Sequence, residues 1–112
     1  MAFETVVQLQ GDDRKFKLSP EIKQFTLLDL GFSKQNNGSF VLKQPISGAN
    51  LNGYKLKISV NKDLDQLKMV VTDGKGLRKI DIFKNNQHPD DVEQLNFFLQ
   101  TLILRKVLTP AN

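Results

Sequence analysis

The chain has 112 residues, 39% of them hydrophobic and 25% charged, with eight Phe, no Trp and a formal net charge of +4. That length accommodates one hydrophobic core, so a single domain over 1–112 is expected. With no Cys and one His, the composition excludes a disulfide framework, a zinc knuckle, a thiol nucleophile and a multi-His metal site.

The N-terminal stretch alternates, with Phe3, Thr5, Val7 and Leu9 on one side and Glu4, Val6 and Gln8 on the other. This predicts a half-buried strand and offers no apolar run of the kind a targeting signal needs. Gly11-Asp12-Asp13 predicts a turn, and Lys15-Phe16-Lys17-Leu18 its hairpin partner. Ser19-Pro20-Glu21 predicts the start of a short helix, with Ser as cap and Pro at the first position, and Gly31 ends it. Residues 32–42 predict a second hairpin turned at Asn36-Asn37-Gly38, because Asn-Gly supplies the positive φ values of a tight turn. Pro45 predicts an edge or a bulge at the end of that strand, and 46–53 a loop.

The middle third predicts an antiparallel meander with one apolar and one polar face. Tyr54, Leu56, Ile58 and Val60 alternate with Lys55, Lys57, Ser59 and Asn61; Leu67, Met69 and Val71 alternate with Lys68, Val70 and Thr72. After the Asp73-Gly74-Lys75-Gly76 turn, Leu77 to Lys84 predicts a third strand. The last third predicts a helix of about five turns from Asp90 to Leu108. Pro89 and two acids open it and Arg105-Lys106 close it, which suits the helix dipole at both ends. Val92, Leu95, Phe98, Leu99, Leu102 and Ile103 form one apolar stripe. Phe97 and Leu104 fall on the opposite face, in line with each other. Their placement predicts a helix covered on two sides by two sheet layers, which favours a monomer over a homodimer.

No stretch approaches the roughly 20 apolar residues of a membrane span, so a cytoplasmic protein without a membrane partner is expected. Thirteen of the sixteen cations are Lys, and residues 54–84 hold eight cations against four acids. Lys55, Lys57, Lys68 and Arg78 can share one side of the meander and are the candidate anion-binding face. No aromatic residue is interleaved with them to stack on bases, which disfavours nucleic acid. A solvated lysine-rich face is the plainer reading. His88 precedes a helix N-terminus and reads as a loop or cap residue. The acid pairs Asp12-Asp13 and Asp90-Asp91 read as turn and first-turn residues. Asp63 and Asp65 echo a calcium loop but lack its glycine and distal glutamate. No glycine-rich phosphate loop is present. The residues thus point to no catalytic group, no cofactor and no metal.

Taken in order, Met1-Ala2-Phe3-Glu4, Phe16-Lys17-Leu18-Ser19-Pro20, Gly31-Phe32, Asn37-Gly38-Ser39-Phe40 and Leu95-Asn96-Phe97-Phe98-Leu99 carry a resemblance across the whole chain. It resembles a family of small uncharacterised single-domain proteins of Gram-positive bacteria. The resemblance implies an α+β fold, with two antiparallel β-sheets packed against a single long C-terminal helix. It also implies a role in amino-acid metabolism, partly through a remote fold similarity to bacterial S-adenosylmethionine decarboxylases. Those enzymes cleave themselves at a Ser in a Glu-Ser-His context. Ser19, Ser33, Ser39, Ser47 and Ser59 all lack both neighbours, so the similarity concerns the scaffold and not the reaction. The expected function is a non-catalytic binding or accessory protein in amino-acid metabolism, with a small molecule or a protein as partner. The alternatives are a weakly basic nucleic-acid-binding module and an enzyme whose site assembles only in three dimensions.

Overall fold

A computed structural model of the chain describes residues 3–46, 53–76, 78–84 and 89–111. In chain order the elements are β1 (Phe16–Leu18), α1 (Gln24–Asp29), β2 (Ser33–Lys34), β3 (Phe40–Pro45), β4 (Lys55–Val60), β5 (Leu67–Thr72), α2 (Pro89–Leu104) and β6 (Leu108–Pro110). They form two antiparallel sheets, β2-β3-β4-β5 and β1-β6, with one long helix near the C-terminus. The α+β class and the two-sheet architecture are those expected.

Period-2 alternation sets the inner face of the larger sheet. Phe40, Leu42, Leu56, Ile58, Leu67, Met69 and Val71 are buried in one core with Phe16, Phe32 and the stripe Leu95, Leu99 and Leu102 of α2. The strand expected over residues 3–9 is reduced to two bridges. Glu4 pairs with Leu67 at the outer edge of β5, and Val7 pairs with Phe16 of β1. The segment passes from one sheet to the other and so runs along neither.

Three local expectations are corrected. Ser19 does not cap a helix: its hydroxyl accepts the Glu21 N–H at 3.1 Å and closes a turn. Helix α1 begins later, at Gln24, behind an extended Lys23 that makes no side-chain cap. The second hairpin turns through residues 35–39, with Gly38 alone at positive φ (89°). The Gly38 N–H and the Ser39 carbonyl both bond Gln35, the pattern of a three-residue turn with a bulge. The expected strand over 77–84 is also absent among the described residues. Lys79 bridges Thr72 and Ile80 N–H bonds the Val71 carbonyl at 2.8 Å. The chain then leaves the sheet, because the Asp81 carboxylate takes the Phe83 N–H and closes a turn.

Helix α2 stops at Leu104 rather than running on to Leu108. Lys106 adopts φ 64°. The N–H groups of Lys106 and Val107 bond the carbonyls of Ile103 and Leu102 at 3.1 and 2.9 Å. These are the paired bonds of a Schellman ending, here built without glycine. The residues so released form β6, which pairs with β1 from Leu18↔Leu108 to Phe16↔Pro110. Phe97 and Leu104 are not covered: they are 73% and 69% exposed. The expected cover on that face fails for a physical reason. The strands of the second sheet are three residues long, and their Phe16, Leu18 and Leu108 join the same core as the main stripe. One core therefore buries the hairpin phenylalanines, and no second layer is needed.

Candidate functional site

Strand register decides what the outer face of the four-stranded sheet carries. Opposite the buried set, Val41, Lys43, Lys55, Lys57, Ser59, Lys68, Val70 and Thr72 share the other face. Pairing sets Lys43 against Lys57, Lys55 against Thr72, and Ser59 against Lys68. Three of the four expected site residues, Lys55, Lys57 and Lys68, thus lie on one face. Arg78 reaches the same face by the turn after β5. There the Asp73 N–H bonds the Arg78 carbonyl at 3.1 Å and folds the segment back.

Two clefts result. The first, of about 290 Å³, is bordered by Lys57, Ser59, Lys68, Thr72, Arg78 and Lys79, with Val70 and Gly76. The second, of about 110 Å³, lies among Lys43, Lys55, Lys57 and Lys75, with Thr72 and the turn glycines Gly74 and Gly76. Gly74 packs tightly here, since a Cβ on it would stand 3.1 Å from the Gly53 carbonyl oxygen. The wall of the second cleft is therefore backbone.

Among the described residues, seven cations border the two clefts, and neither lining includes a carboxylate. None of the seven joins a salt bridge among the described residues. Lys68 is steadied by Phe3, whose ring centre lies 4.4 Å from its Nζ, an attraction between a cation and a ring quadrupole. Between the cations, Ser59 and Thr72 are almost buried, and the Thr72 hydroxyl donates to the Asp73 carbonyl at 3.0 Å. Ammonium, guanidinium and hydroxyl groups at strand spacing can hold an anion by charge-assisted hydrogen bonds. Among the described residues, no aromatic side chain borders either cleft, so none offers a platform for stacking bases. A further hollow of about 310 Å³ runs along the edge of β5, sharing Lys68 and Lys79 and adding Glu4 as its carboxylate.

Sequence reasoning missed Lys43, Lys75 and Lys79. The alternation of β3 already puts Lys43 on the outer side, but its partner across the strands is a matter of register, which one strand does not reveal. The remaining candidates are scattered. His88 and Ser47 lie outside the described residues. Ser39 Oγ donates to Asn37 Oδ1, and Asp12 takes the Arg14 Nε–H at 3.0 Å. Asp65 accepts the Asn61 side-chain amide at 2.6 Å, which makes the calcium-like stretch a turn. Asp90 and Asp91 occupy the first turn of α2, Asp91 buried. Among the described residues, no three acidic or His side chains converge to hold a metal. Nor is any helix among them long and apolar enough to cross a membrane.

A family model for DUF1831, described as "Putative amino acid metabolism", matches residues 1–109. Among solved structures, the chain is similar to a DUF1831 family protein (lp2179) from Lactobacillus plantarum. The TM-score is 0.90 and the sequence identity 41%, over 98% of each chain. No curated protein matches.

Proposed function

The chain belongs to the DUF1831 family, and from that premise we propose that it serves amino-acid metabolism as a binding or accessory protein, holding a small anionic metabolite on the outer face of its four-stranded sheet. The observation that carries this reading is a cationic set that joins no salt bridge among the described residues: seven Lys and Arg side chains around two clefts, with no carboxylate among the described residues of either lining. Like charges directly opposite on a sheet are destabilising, and Lys43 faces Lys57, so an anion seated between these two offsets that cost. Arg78 adds a planar fork suited to carboxylate or phosphate. The carboxylates of Asp12, Asp65, Asp73 and Asp81 are engaged in local hydrogen bonds, which favours binding over acid–base chemistry.

The test is calorimetric titration of the purified chain with orthophosphate, aspartate and glutamate at low ionic strength. At least one of them binds, the binding weakens as salt is added, and Lys57→Gln removes most of it. Absence of heat with every anion, together with an unchanged melting temperature, overturns the reading.

A further inference from the structure

Resting on the reading of the basic face as an anion site, we infer that its ligand carries two separated anionic groups, one seated in each cleft, with Lys57 between them. The division of the cations supports this. Lys68, Arg78 and Lys79 border only the first cleft among the two; Lys43, Lys55 and Lys75 border only the second; Lys57 borders both. Each cleft is a complete cationic set on its own, and one anion fills one of them.

Spacing sets the length of the ligand. Ser59 lines the first cleft and Lys55 the second, and they are four residues apart on β4. At the rise of a strand that is about 13 Å, with Lys57 about 7 Å from each. A single phosphate or carboxylate cannot touch both ends. A molecule with an anionic group at either end spans them, and its second group then binds intramolecularly, at high effective concentration.

The two clefts also differ in chemistry. The first alone offers the Arg78 fork and the Ser59 hydroxyl, which with its ammonium groups make a donor set that matches the several oxygens of a phosphate. The second offers ammonium groups against a glycine backbone, point charges that accept a phosphate or a carboxylate alike. The ligand class is therefore an extended phosphate ester or anhydride whose far end bears a second phosphate or a carboxylate. It needs no base or other aromatic part, since nothing aromatic borders either cleft among the described residues.

The experiment titrates the intact chain at constant ionic strength with orthophosphate, diphosphate, tripolyphosphate and tetrapolyphosphate. The expected result is two orthophosphates bound per chain and one of the longer oligophosphates, at least about a hundredfold tighter than orthophosphate. Lys75→Gln, a change at an exposed turn, removes most of that gain and leaves the first orthophosphate in place. Arg78→Gln weakens orthophosphate and oligophosphate together. If orthophosphate binds once and the longer members gain nothing beyond their added charge, or if Lys75→Gln leaves the gain intact, the two-group ligand is wrong while the anion site stands. If no member of the series binds and aspartate and glutamate also fail, both readings fall.

Discussion

Lys43 and Lys57 stand directly opposite each other on β3 and β4, two like charges in register on the outer face of the sheet. Such a pair costs roughly 0.2–1 kcal/mol relative to a neutral one. Lys43→Glu turns the repulsion into attraction and is expected to raise stability by up to about 1 kcal/mol. The same change weakens anion binding. Denaturant melts at low and high salt check the cause: the gain should shrink at about 1 M salt, where charges are screened beyond about 3 Å.

The two faces of α2 should respond in opposite ways to truncation. Leu99 is buried at the centre of the stripe, so Leu99→Ala is expected to cost about 2–5 kcal/mol, the transfer term plus the cavity left behind. Phe97 is 73% exposed, and Phe97→Ala should move stability by no more than about 0.5 kcal/mol. Denaturant titration of both variants is the measurement. A cost for Phe97→Ala near that of Leu99→Ala would show that something covers the outer face.

Gly11 combines a φ of 82° with a close neighbour: a Cβ built there collides with the carboxylate of Asp81. Gly11→Ala is therefore expected to cost more than the roughly 1–2 kcal/mol of a left-handed non-glycine residue. In an Asp81→Ala background the collision is gone and only the backbone part remains. A double-mutant cycle by thermal or chemical melting separates the two, and an additive cycle would contradict the contact.

Lys106 holds the left-handed position that ends α2, with φ 64°. Lys106→Gly relieves that strain and should stabilise the chain by about 0.5–1 kcal/mol. The ion pair lost with it, Lys106–Glu21 at 3.6 Å, is exposed on both sides and offsets little of the gain. Equilibrium unfolding of the single variant suffices, and a loss of stability would refute the strain argument.

How far the residues could be read depended on the range of the forces involved. The core stripe of α2 and the alternation of β4 and β5 are local periodicities, and they stand where the pattern puts them. Strand β6 was hidden because its start is marked by Lys106 in a conformation that glycine normally signals. The apolar pair Phe97 and Leu104 misled, because a line of two apolar residues says nothing about whether anything packs on them. At the site, Lys55, Lys57 and Lys68 were legible from alternation within their own strands. Lys43 and Lys79 were not, since their membership depends on pairing between strands and on a turn that doubles back.

The pairing of β1 with β6 brings together residues about 90 positions apart, Leu18 and Leu108 among them. Synthesis proceeds from the N-terminus, so Phe16 and Leu18 emerge early; Phe16 can bridge Val7 at once, but the β6 partners of both strand residues are not made until positions 108–110. Closing so long a loop is entropically expensive, and contacts of this separation slow folding. The small sheet is thus a late-closing clasp: nascent or truncated chains that stop short of Leu108 carry two apolar side chains and an open strand edge, the combination that recruits other chains into aggregates.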